Sequence, residues 1–196
     1  MDKRDDSYFI NLVLKGNIEA FSWLVEKHQD NVFNLAFRIC GRREEAEEIS
    51  QDSFMKAFRS LKEFRMKSSF STWLYRITFN TAVSYVRTKK KGLLYLEEFP
   101  AEPGDFFIIT GNEEEAEREY RKSLVSFALQ KISEDERALI TLYYYDELNV
   151  NEISEITGMS PSNVKVKLFR ARQKMASIIE KTGNKKPAYN EQPERF

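Results

Sequence analysis

The stretch from Asn149 to Met175, NVNEISEITGMSPSNVKVKLFRARQKM, constrains the chain most. It reads as two short helices joined by a tight turn. Asn149 is placed to cap the first helix, and Glu152 stands three residues on, where a capping-box acid belongs. Val150, Ile153, Ile156 and Thr157 recur on one face at helical spacing. Gly158 supplies the left-handed residue that ends a helix. Ser160 caps the next one, and Pro161 at its first position loses no hydrogen bond. Val164, Leu168, Ala171 and Met175 then mark a buried stripe, opposite Lys165, Lys167, Arg170, Arg172 and Lys174. Helix, glycine turn and basic helix make the helix-turn-helix pattern, whose second helix enters the major groove of DNA. A plain helical hairpin with a solvated cationic face shares that geometry, and the rest of the chain separates the two.

Apolar residues recur at helical spacing throughout the 196 residues, and glycine and proline are few, so an all-α protein is expected. One cysteine, Cys40, excludes an internal disulfide framework. With one histidine, His28, it also excludes the usual zinc spacings, so no metal and no cofactor is expected. No nucleophile–base pair or phosphate loop points to an enzyme or to a small-molecule substrate. With no signal peptide and no long uncharged apolar run, a cytoplasmic protein without membrane insertion is expected.

The net charge is zero, yet its distribution is uneven. From Lys56 to Lys91 ten cations face one acid, Glu63, and from Lys165 to Lys174 every charge is positive. The acids gather at Glu44 to Asp52 and Glu97 to Glu119. Two basic surfaces separated by an acidic connector suit two contacts with one polyanion.

In chain order, a short helix over Asp5 to Lys15 is broken by Gly16, and Asn17 caps a longer one reaching about Cys40. The longer helix carries an inward stripe of Ile18, Phe21, Leu24, Val25, Val32, Leu35, Ala36 and Ile39, with His28 beside it as a core or interface histidine. A third helix spans Arg43 to Leu61. Its acidic first half suits the helix dipole, but Gln51 and Asp52 continue the polar face beyond that turn, as a partner surface would. Lys62 to Ser69 forms a basic loop. A fourth helix to about Lys91, capped by Ser69 or Ser71, buries Phe70, Trp73, Leu74, Ile77 and Ala82 or Val83 and turns Tyr75, Arg76, Asn80 and Arg87 away from that core. Rings beside cations suit single-stranded nucleic acid, with bases on the rings and phosphates on the cations. A partly apolar connector with LLYLEEF and DFFIITG follows. Asn112 and Glu115 open a fifth helix, and Ser133 with Glu136 opens a sixth with Leu139, Leu142 and Tyr143 inside.

Two segments resemble the extracytoplasmic-function class of bacterial sigma-70-family RNA polymerase sigma factors. EEAEEISQDSFMKAFRSLKEFRMKSSFSTWLYRITFNTAVSYVR is similar to sigma region 2, and ISEDERALITLYYYDELNVNEISEITGMSPSNVKVKLFRARQKM to region 4. The resemblance implies two small helical domains, 1–91 and 120–182, joined by an acidic, partly apolar linker over 92–119 and followed by a disordered tail, 183–196. It implies that Glu48, Gln51, Asp52 and Phe54 bind core RNA polymerase. Phe64, Arg65, Ser69, Tyr75, Arg76, Asn80 and Arg87 would take the melted strand of a promoter −10 element. Ser162, Asn163, Lys165, Val166, Lys167, Arg170 and Arg172 would read a duplex −35 element. Genes of a stress or envelope response and an anti-sigma partner are implied in the same way. The chain departs from the family twice: Lys165-Val166-Lys167 replaces a common Lys-Ser-Arg, and Met66 stands where the basic loop often has glycine. The alternatives are a helix-turn-helix regulator that never enters polymerase and an interaction protein with vestigial DNA binding. The Lys62 to Lys91 segment separates the first alternative, since a duplex-only regulator has no use for a strand site.

Overall fold

Left-handed glycines stop two of the helices, at Gly41 and Gly158. A computed structural model describes residues 5–92 and 113–183. The first unit contains α1 (Asp6–Leu14), α2 (Phe21–Cys40), α3 (Arg43–Ser60) and α4 (Phe70–Gly92). The second contains α5 (Glu113–Lys131), α6 (Glu134–Tyr144), α7 (Val150–Thr157) and α8 (Pro161–Gly183). Gly41, at φ 81°, closes α2, and its N–H donates back to the Phe37 carbonyl. Among the described residues no helix is long and apolar enough to cross a membrane. The connector's apolar runs, the Asn112 cap and the tail from residue 184 lie outside the described residues. The connector expectation also took in 113–119, which are the opening turns of α5.

Two apolar clusters organise the molecule. One joins α1 to the lower parts of α2, α3 and α4 through Phe9, Ile10, Leu24, Val32, Phe54, Leu61, Phe70 and Leu74. The other is continuous across both units. It runs from Leu35, Ile39, Ile49, Tyr75 and Phe79 to Leu139, Leu142, Ile153, Val164 and Leu168. Large aliphatic and aromatic groups of this kind gain about 1.5–3 kcal/mol each on full burial. The two expected helical units therefore share a core, which the expectation of a connector between two domains did not anticipate.

Three expected stripes are corrected. Asn17 caps a 3-10 turn, Ile18–Ala20, by accepting from the Ala20 N–H, and α2 starts only at Phe21. Ile18 is thereby left 65% exposed instead of inward. Tyr143, expected inside α6, is 38% exposed. Tyr75, expected to point away from the core of the fourth helix, is buried within the shared cluster. His28 is a core histidine as expected. Its Nε2 lies 3.1 Å from an Asp6 carboxylate oxygen, tying α1 to α2.

Candidate nucleic-acid and partner surfaces

The helix-turn-helix is built from the caps that its sequence names. Asn149 accepts from the Glu152 N–H while Glu152 accepts from the Asn149 N–H at 2.8 Å, completing a capping box. Gly158 sits at φ 71° between the helices, where a side chain would be strained. The Ser160 hydroxyl accepts from the Asn163 N–H and opens α8. Val164, Leu168, Ala171 and Met175 anchor α8 to the core, so the opposite face is fixed outward. Ser162, Val166 and Arg170 fall at i, i+4 and i+8 on that face, with Asn163 and Lys165 beside them, all exposed. Lys167 is half-buried at the edge. Arg172 is exposed but donates to the Tyr144 hydroxyl at 3.1 Å, which turns it toward α6. Phe169, missed in the sequence, is 53% exposed three residues after Val166. Its place off the buried stripe was the available signal.

A second basic surface lies on the first unit. The loop before α4 holds Arg65 and Lys67 in the open, while Phe64 folds onto Phe70 and Trp73 with its ring centre 5.0 Å from that of Trp73. Met66 occupies a left-handed conformation at φ 52°. Such a φ costs a β-carbon residue about 1–2 kcal/mol, so the turn at this position has the shape a glycine would give. Ser69 accepts from the Thr72 N–H at 3.0 Å and starts α4. Arg76, Asn80 and Arg87 are exposed along α4. Tyr75 is not with them, and burial pushes its phenol well above its usual range. Arg87 reaches across to the second unit, with Nη2 2.8 Å from Asp135 and Nε 3.7 Å from Glu134.

The acids of α3 separate into a buried one and an outward-facing set. Glu45 is buried and pairs with Lys89 of α4. Glu48, Gln51 and Asp52 face outward, Glu48 accepting from the Tyr85 hydroxyl at 2.9 Å and Asp52 lying 3.4 Å from Lys56. Phe54 is 9% exposed and supports this face from beneath, whereas Met55, missed in the sequence, is 49% exposed at its edge. Among the described residues no three His, Cys, Asp or Glu side chains converge as a metal site would need.

Both helical units match known proteins. A family model described as Sigma-70 region 2 matches residues 24–92, and one described as Sigma-70, region 4 matches residues 123–175. The chain is 32% identical to the ECF RNA polymerase sigma-E factor of Salmonella typhimurium over 181 residues, 89% of this chain and 94% of that one. It is 30% identical to the ECF RNA polymerase sigma factor SigW of Bacillus subtilis over 170 residues, 84% and 91% of the two chains. The sigma factor RpoE of Bartonella quintana, solved with the anti-sigma factor NepR, shares the fold at a TM-score of 0.62 and 20% identity, over 82% of this chain and 96% of that one.

Proposed function

The chain belongs to the ECF RNA polymerase sigma factors, and we propose that it divides the work of promoter recognition between its two units. The protein is a sigma factor: it joins core RNA polymerase and directs promoter-specific initiation. The exposed Glu48, Gln51 and Asp52 of α3 hold polymerase, with Phe54 keeping the helix face in place. The loop from Phe64 to Ser69 and the cations Arg76 and Arg87, with Asn80, take the melted −10 strand. The outer face of α8 reads the duplex −35 element. The α1–α4 and α5–α8 units serve this division.

A duplex is read by a rigid helix in the major groove, where each base pair shows a distinct pattern of donors, acceptors and methyl groups. Lysines at positions 165 and 167 give up the bidentate geometry that arginine offers to guanine. Val166, 46% exposed, is suited to a thymine methyl instead. A melted strand is held by stacking and phosphate contacts, since unpaired bases expose their faces. No bond is made or broken by the protein. Binding energy for the open strand shifts an existing equilibrium.

The observation that carries the reading is the coexistence of an outward acidic face on α3 and an outward basic face on α8 in one chain that matches both sigma regions. A duplex-only regulator leaves residues 24–92 without a use. A cytoplasmic site of action in a stress or envelope response follows from the class. So does an anti-sigma partner, the kind of protein with which the Bartonella relative was solved. Core polymerase binding by purified protein tests the account. Asp52→Arg should weaken it at least about tenfold, the effect of roughly 1.4 kcal/mol, while leaving the fold intact. Unchanged binding would remove α3 from the polymerase contact.

A further inference from the structure

A ladder of three polar rungs joins α3 to α4. Thr81, Tyr85 and Lys89 stand four residues apart on α4 and so form one row. Lys89 pairs with Glu45. The Tyr85 hydroxyl donates to Glu48 Oε2 at 2.9 Å. Thr81 accepts from Lys56 Nζ at 3.2 Å, and the same ammonium lies 3.4 Å from Asp52. At about 3.6 residues per turn, this row falls on the side of α4 away from Arg76, Asn80 and Arg87. Two of the rungs end on acids assigned to polymerase above.

The rungs are not alike. Glu45 is buried, so its bond to Lys89 holds the two helices together. Glu48 and Asp52 are exposed, where water competes for every bond and an ion pair adds little to stability. What a bond does there is restrict a flexible side chain. A free glutamate samples many rotamers, and a partner that captures it must fix one of them. The Tyr85 ring is half-buried against the shared core, so its hydroxyl is a fixed point. Its bond takes Glu48 Oε2 and leaves Oε1 for a cation. The bonded carboxylate raises the phenol above its usual range, so the hydroxyl stays a donor at neutral pH. We propose that Tyr85 and Thr81 are positioning residues for polymerase capture: Tyr85 aims the Glu48 carboxylate directly, and Thr81 aims Asp52 through Lys56. One side of α4 then sets the acids that meet polymerase while the other side takes the strand. The proposal rests on the assignment of α3 to polymerase given above.

Tyr85→Phe and Thr81→Val each delete one hydroxyl and keep the shape of the side chain. The affinity of the full chain for purified core polymerase is measured for each variant, alone and with the acid it serves removed. Tyr85→Phe should weaken binding about fivefold, the effect of having to order one free glutamate, and should change nothing further in a Glu48→Ala background. Thr81→Val should weaken it about threefold, and not at all in an Asp52→Ala background. Thermal midpoints and duplex DNA affinity should match wild type in both, which a merely structural role would not allow. Tyr85→Phe binding core as tightly as wild type overturns the proposal. So does a loss that persists in Glu48→Ala, because the hydroxyl would then act through something other than that carboxylate. If Glu48→Ala and Asp52→Ala both bind as wild type does, α3 leaves the polymerase contact and the proposal falls with it. A wild-type chain that does not bind core at all overturns the polymerase role itself.

Discussion

Replacing Arg137 with methionine should cost about 3 kcal/mol of stability. Arg137 is 8% exposed, and its guanidinium donates to four carbonyl oxygens. Nε reaches Leu129 at 2.7 Å, Nη2 reaches Gln130 at 2.9 Å and Ile132 at 3.4 Å, and Nη1 reaches Ile39 at 2.7 Å. Three of these close the C-terminal end of α5 and the fourth lies in the last turn of α2, where carbonyls have no partner within their own helix. Hydrogen bonds to a charged donor contribute about 1.5–3 kcal/mol each. Against them stands the burial of the cation, which pulls its pKa down and costs several kcal/mol. Carbonyls at a loosened helix end also regain water. Methionine keeps the apolar stem and removes the donors, so about 3 kcal/mol remains, a large share of the roughly 5–15 kcal/mol by which domains are stable. For a chain of this size that is a fall in Tm of about 6–12 °C. Arg137→Lys keeps the charge, but one ammonium cannot serve both helix ends, so it should recover only part of the loss. Urea unfolding followed by circular dichroism measures both variants. A methionine variant within about 1 kcal/mol of wild type would refute the bridging role.

Binding of duplex DNA by the isolated chain should weaken about 40-fold between 50 and 200 mM salt, a slope near −2.7. This follows because Lys165, Lys167 and Arg170 have no side-chain partner among the described residues, while Lys174 is engaged by Glu136 at 2.6 Å. Lys165→Ala should reduce the slope by about 0.9 in fluorescence anisotropy, and an unchanged slope would take that lysine off the phosphate. His28 has its pKa lowered, chiefly by burial and despite Asp6. The unfolded chain therefore takes up the proton first. Stability should be full above the unfolded value of about 6.5 and should fall as pH drops below it. Urea midpoints measured from pH 7.5 to 5 check this, with His28→Gln expected to flatten the profile.

The local punctuation was legible because it is written in single residues. The capping boxes at Ser133–Glu136 and Asn149–Glu152 and the stops at Gly41 and Gly158 require only a short stretch of chain to identify. The outward face of α8 followed from its buried stripe. What could not be read was which element covers which. Tyr75 looked free because α4 was given one buried stripe, and the second exists only because α6 and α7 lie on it. Phe79 was missed for the same reason. Arg137 carries no periodic signal, since a charged residue on a helix reads as solvated unless the carbonyls that hold it are known. Glu45 read as one more acid in an acidic turn, and only the approach of Lys89 distinguishes it from Glu48. Ile18 was placed in a stripe that begins three residues later.

Run-off transcription with purified core polymerase, this protein and a library of random promoter sequences tests the central claim most directly. The account predicts transcripts from a selected set of templates that share two elements, one at −35 and one at −10. These should be lost with Asp52→Arg, and their −35 preference should shift with Val166→Ser. Specific duplex binding by the free protein with no polymerase-dependent transcripts would contradict it and leave a helix-turn-helix regulator in its place.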